Sequence, residues 1–169
     1  AGLINACGGG GGSSTAAAIA PLPAPEPSVP YTSHSSTLWY DSSAAALWLL
    51  SPDDSRLVKL EASSLEQLAW FPLDQKPVAM SAAAGFLVIA LQNGVQRFDV
   101  ARESLRPVVP IPCGDAQGIV TSTSANIAWV SCINDDLLVE VELDADSSIR
   151  LLQAHKPAGL SLVEDQLWV

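Results

Sequence analysis

Aliphatic residues return every forty positions through most of this 169-residue chain. Leu47, Leu87, Ile127 and Leu167 fall in one column, and Leu49, Ile89, Trp129 and Val169 fall two columns along. Upstream, Met80, Val120 and Leu160 align, each followed by a small hydroxyl residue at Ser81, Thr121 and Ser161. "KPVAMS" from Lys76 and "KPAGLS" from Lys156 recur eighty residues apart. A fixed period of this length marks a repeat architecture, in which one unit is too small to bury its own apolar face and must stack on its neighbours.

Each row resolves into four short strands. The row from Pro77 reads "VAMS", a turn "AAAG", "FLVIAL", the hairpin signal Asn93-Gly94, "VQRFDV", a polar turn "ARES" and a last strand "LRPVVPI". In the third strand Val58 and Leu60, Phe98 and Val100, and Val139 and Val141 point one way, while Lys59, Asp99 and Glu140 point the other. One buried and one wetted face predicts an antiparallel sheet. The second strand is apolar on both faces, as suits the middle of a stack.

Four strands per forty residues predicts an all-β fold of β-propeller blades, each a four-stranded antiparallel sheet. A β-sandwich has no reason to keep a forty-residue register for four rows, and a coiled β-solenoid has shorter turns. The rows resemble bacterial propellers of the YVTN and NHL type, with a "P-x-x-hydrophobic-S" inner strand, a "hydrophobic-x-V" second strand and a "V-x-x-[FV]-D-V" third. The resemblance implies the fold and no function. The "WD" and "GH" pairs of the WD type are not seen, nor is the Trp-docking repeat of quinone-binding propellers. Counting from Leu38, three blades end by about Ala154 and a fourth stops at Val169 inside its second strand. A ring needs at least four blades and a bare edge invites aggregation. The expectation is therefore a fragment of a chain of roughly six to eight blades, or a ring completed by another subunit.

Composition changes the picture at the front. From Ala1 to Thr37 the only charged side chain is Glu26, and the rest is mostly Gly, Ser, Ala, Pro and Thr, too polar and too flexible to offset the entropy of ordering. Pro21 to Pro30 holds five prolines and reads as an extended spacer. The predicted organisation is residues 1–7 as the end of a signal peptide, 8–37 as a flexible linker and 38–169 as blades. "INAC", Ile4 to Cys7, resembles the bacterial lipobox, with an aliphatic residue at minus three, a small one at minus one, and the cysteine that is acylated. The alternative is a thiol in a folded core. The resemblance implies an anchor on Cys7 of two or three acyl chains, each buried methylene contributing about 0.8 kcal/mol. Gly8, where an Asp would retain such a protein at the inner membrane, implies the outer membrane, facing the periplasm or the cell exterior.

Charge then narrows the partners. From residue 38 on, eight Lys and Arg stand against seventeen Asp and Glu, a formal charge of about minus nine. Such a field argues against nucleic acid and against direct docking on anionic lipid, leaving protein partners and a possible oligomer or larger complex. With Cys7 assigned to lipid, Cys113 and Cys132 form an even pair in an oxidising compartment. A hairpin centred near Ala125 would set Cys132 opposite Gly118 and bring the two within reach of a disulfide.

Catalytic sets are scarce. His34 lies in the linker and His155 in a turn, both expected to be solvated, and the absence of C-x-x-C-H excludes covalent c-type haem in this stretch. Asp53, Asp54, Asp135 and Asp136 sit in equivalent turns and are weak calcium candidates, since such turns favour Asp for backbone reasons too. Trp39, Trp48, Trp70, Trp129 and Trp168 are expected to pack in cores or between blades. No cofactor is predicted. The reading is a lipid-anchored, non-catalytic binding or scaffold module of the cell envelope. The alternatives are a propeller enzyme or cofactor-binding propeller whose site lies in further blades, or a structural subunit of an envelope complex.

Overall fold

The computed structural model describes residues 33–34, 36–122, 126–143, 148–163 and 166–169, so the lipobox at Cys7 and most of the linker lie outside the described residues. A first short strand, β1, spans Ser33–His34. The first blade follows as β2 (Leu38–Asp41), β3 (Ala46–Ser51), β4 (Arg56–Glu61) and β5 (Gln67–Pro72). The second is β6 (Pro77–Ala83), β7 (Phe86–Leu91), β8 (Gly94–Asp99), β9 (Ser104–Leu105) and β10 (Val109–Pro110). The third is β11 (Ala116–Thr121), β12 (Ile127–Cys132), β13 (Leu137–Glu142) and β14 (Ile149–Gln153). The fourth sheet holds β15 (Ser161–Val163) and β16 (Gln166–Trp168), with β1 on the free side of β15. Every pairing is antiparallel, and each blade runs through its strands in chain order. The chain is thus all-β and built of antiparallel propeller blades, as the forty-residue period predicts.

The stacking surfaces follow from strand alternation. Trp48, Leu50 and Leu57 of the first blade pack against Met80, Leu87, Ile89 and Phe98 of the second. Val88 and Ala90, on the opposite side of β7, pack with Ala128, Val130, Val139 and Val141 of the third. Val120 and Leu138 meet Leu160 and Leu162, with Trp129 and Leu167 at the margin. Phe98 is in ring contact with Trp48 at 5.0 Å and with Phe71 at 4.7 Å, which ties the first two blades together by aromatic packing.

Several details depart from the sequence expectation. The forty-residue columns hold for Leu47/Leu87 and Leu49/Ile89 but slip by one in the third blade, where Ala128 and Val130, not Ile127 and Trp129, face the preceding blade. The slip runs through the whole blade and is already present in β11: Val120 pairs with Trp129 just as Met80 pairs with Ile89, so the two hairpins share one register, yet Met80 faces the preceding blade and Val120 the following sheet. The two-residue turn with both central φ values positive is Ala84-Gly85, at 39° and 85°. It has the geometry of a type I′ hairpin, the one whose twist suits paired strands. Asn93-Gly94 is not such a turn. Leu91 pairs with Gly94, which leaves Gln92 and Asn93 between the strands. Gly94 is needed instead for close approach, since a Cβ there would sit 2.6 Å from Val108 Cγ1. The predicted strand "LRPVVPI" breaks into β9 and β10, both on β8, because prolines cannot donate to the ladder.

The linker boundary also moves. Ser33 pairs with Leu162 and His34 with Ser161, while Ser36 and Met80 exchange backbone hydrogen bonds of 3.1 and 2.6 Å. Ser33, His34 and Ser36, which fall in the stretch 8–37 read as linker, thus have their backbones paired with the folded unit.

Candidate functional site

Ser81, Thr121 and Ser161 lie on the inner strands β6, β11 and β15. Ser81 and Thr121 are both buried, with their hydroxyls 3.1 Å apart, and Thr121 Oγ1 also donates to Ala82 O at 3.3 Å. Ser161 is half-buried and pairs through its backbone with His34. The Ser81 and Thr121 hydroxyls thus bridge the second and third blades.

Solvent-facing chemistry collects where the turns at Asp41–Ala46, Ala84-Gly85 and Val100-Ala101 converge. Between the first and second blades a cleft of about 440 Å³ is lined by Trp39, Asp41, Lys59 and Val100, among others. Lys59 Nζ bonds Glu103 Oε1 at 2.6 Å across the blades and lies 5.3 Å from the Trp48 ring. Asp41, buried at the end of β2, accepts hydrogen bonds from Ser43 Oγ (2.7 Å), Ser43 N (3.0 Å) and Ala44 N (3.3 Å). The Ser43 hydroxyl bond, the amide bonds and the Lys59 charge hold its carboxyl below the usual carboxylate range, against the opposing pull of burial. Between the second and third blades a smaller cleft of about 160 Å³ is lined by Phe86, Arg97, Thr121 and Asn126, among others. The Arg97 guanidinium stands 5.2 Å from the centre of the Phe86 ring. Both clefts thus set a cation on an aromatic floor within an acidic molecule. Lys59 belongs to a polar face visible in the sequence, but its meeting with Glu103 is a cross-blade contact that no local pattern encodes.

Cys113 and Cys132 are joined by a disulfide with Cα atoms 5.6 Å apart. Cys132 pairs with Ala116 and not Gly118, because the register shifts between Ala116 and Gly118. The acidic turns bond nearby protein groups, one hydroxyl and two backbone amides. Asp54 Oδ2 accepts from Ser51 Oγ at 3.1 Å, Asp135 Oδ2 from Gly114 N at 2.8 Å, and Asp136 Oδ1 from Lys156 N at 2.8 Å. Asp53 lies in the same β3–β4 turn as Asp54. No cluster of three or more His, Cys, Asp or Glu suited to a metal ion occurs among the described residues. The exposed His155 ring lies 3.5 Å from Asp136. Two tryptophans depart from the packing expectation: Trp70 is 47% and Trp168 60% exposed.

No protein-family profile matches the chain, and no curated protein matches it in sequence. Solved structures do match in shape. A functionally unknown protein from Desulfotomaculum acetoxidans superimposes with a TM-score of 0.60 at 15% identity, over 73% of this chain and 43% of that one. Streptogramin B lyase gives 0.60 at 14% identity over 82% and 57%, and the WD40 repeats of RRP9 give 0.56 at 14% over 73% and 37%. The chain therefore spans between about a third and three fifths of the structures it resembles. At these identities the likeness is one of fold, and the fold is that of β-propeller blades.

Proposed function

We propose that this chain is a non-catalytic binding module of the bacterial cell envelope, lipid-anchored through Cys7 and acting through protein–protein contacts at the rim where the two inter-blade clefts open. The observation that carries the reading is the division of polar groups. Ser81 and Thr121, at the axis where a propeller would hold a small substrate, are buried against each other, while Lys59 and Arg97 stand on aromatic floors at the rim. A cation on an aromatic surface suits acidic or aromatic side chains of a partner protein. The likeness to WD40 repeats favours a scaffold; the likeness to a lyase favours the alternative of a propeller enzyme. The lipobox-like Ile4 to Cys7 and the proline-rich spacer support anchoring at the outer membrane.

Two measurements test it. A photo-crosslinking residue at Ser43, on the rim, should capture one discrete protein in intact envelopes, and Lys59→Glu should abolish that adduct while leaving the fold intact. Intact mass spectrometry of the native protein should show acyl chains that Cys7→Ser removes. A rim that captures nothing, or an unmodified Cys7, would refute the corresponding half of the proposal.

A further inference from the structure

We infer that the cleft between the second and third blades is a binding site for a carboxylate on a short apolar stem, with Arg97 as its anchoring cation. The reasoning starts from one position that recurs in three blades. Trp48 pairs with Lys59, Val88 with Arg97 and Trp129 with Glu140, each at the third residue of the second strand. Trp48, Val88 and Trp129 all pack toward the following sheet, so the charged partner on the same face points there too. In the first and third blades that charge is answered within the chain. Lys59 Nζ meets Glu103 of the second blade at 2.6 Å. Glu140 Oε2 accepts from Trp129 Nε1 at 2.9 Å and pairs with Arg150 at 2.6 Å. Arg97 differs. No carboxylate among the described residues lies within ion-pair distance of it, and Asp99, the next residue on its face, is taken by Arg102 at 2.7 Å. In a chain of 18 acidic and 8 basic side chains, an unanswered guanidinium breaks the rule its own repeat follows.

The space differs as well. Where the neighbouring blades carry tryptophan the second carries Val88, and beside the guanidinium lies a cleft of about 160 Å³. An apolar cavity of about 150 Å³ accommodates benzene, so this volume suits a stem of a few carbons. Phe86, Ile127 and Leu143 supply apolar walls, and Thr121 and Asn126 polar ones. The guanidinium stands 5.2 Å from the centre of the Phe86 ring, and its planar fork matches a carboxylate through two parallel hydrogen bonds. The carboxylate belongs either to a free short-chain acid or to an acidic side chain of a protein partner; only the second source rests on the rim contacts proposed above.

The test is titration of the complete chain with butyrate, followed by the NMR shifts of the Ile127 methyls and of Arg97 Nε–H. Saturable shifts with a dissociation constant of about 1 mM are expected for so small a ligand. Butyramide, with the same stem and no charge, should bind at least about tenfold more weakly. Arg97→Gln should lower the affinity for butyrate by about tenfold or more, and Arg97→Lys, which keeps the charge and loses the fork, should fall between. Ala83→Leu, which narrows the cleft and leaves the charge, should abolish binding, while Arg56→Gln on the first blade should not alter it. Circular dichroism checks that each variant folds. N-acetylglutamate amide then separates the sources: binding as tight as butyrate supports a partner's side chain, and exclusion beside bound butyrate supports a free acid. No saturable shift with butyrate, equal affinity for butyramide, or indifference to Arg97→Gln would overturn the inference. So would binding that appears only after Asp144→Asn and Asp146→Asn, since the chain's own acids would then be the occupants. A rim that captures no protein leaves this result standing, because the titration contains no partner.

Discussion

Ser81 Oγ and Thr121 Oγ1 lie 3.1 Å apart across the inner strands of neighbouring blades, both shut away from solvent. The bond joins the second blade to the third along their inner strands, so its loss should be felt as stability. Thr121→Val should cost about 1–2 kcal/mol by leaving a buried hydroxyl with one fewer partner. A double-mutant cycle with Ser81→Ala should give a coupling of about 1 kcal/mol in urea denaturation. A coupling near zero would show that the two hydroxyls act independently.

The disulfide between Cys113 and Cys132 closes a loop with a sequence separation of 19. Cross-linking a loop of that size restricts the unfolded chain by about 3 kcal/mol. Replacing both cysteines by alanine should lower the stability by that order, and adding reductant to the wild type should have the same effect. Reductant should not affect the double variant, which separates the bridge from general thiol chemistry.

Asp99 should make stability depend on acid. Its carboxyl accepts from Arg102 Nη1 at 2.7 Å and from Arg102 N at 3.0 Å. Chiefly the Arg102 side-chain bond, then the amide bond, holds it below the usual carboxylate range despite the opposing effect of burial. A carboxyl whose folded value is depressed stabilises the fold above its unfolded value, near pH ~4, and that contribution is lost as pH falls through the lower folded value. Urea midpoints should therefore drop below pH ~4 in the wild type and drop less steeply in Asp99→Asn.

Leu65 is 62% exposed and sits at φ 60°, in the left-handed region that costs a side-chain-bearing residue about 1 kcal/mol. Leu65→Gly should raise stability by up to about that amount, less the extra entropy glycine gives the unfolded chain. Gly85→Ala, at φ 85° with open space around it, should do the reverse. Thermal melts of the two variants should move in opposite directions.

The blades were legible because stacking gives every unit apolar strands, so Leu47, Leu87 and their successors mark a period even though the third blade turns the other set of side chains toward its predecessor. The finer register was not. Bulges between Pro77 and Ala79 and between Ala116 and Gly118 absorb a residue without altering the hydrophobic pattern, and this is why Cys132 meets Ala116. Ser33, His34 and Ser36 looked like linker since polar residues there show no alternation, yet their backbones are what pair. Trp70 and Trp168 read as core because they lie on strands, but burial depends on what covers a face and not on the residue that forms it. The clefts at Lys59 and Arg97 arise only when two blades abut.

The pairing of Ser33 with Leu162 joins positions separated in synthesis by all three complete blades. Each of the first three blades can assemble as it leaves the ribosome, since its strands are neighbours in the chain. The partner of β1 is translated only after those three blades. Until Ser161 and Leu162 emerge, the segment at Ser33 has no strand to bind and the inner edge it will occupy stays open, a long-range closure of the kind that slows folding. A nascent chain halted before residue 161 would therefore carry three formed sheets and a loose front, and would be sensitive to protease at a site that the finished molecule protects.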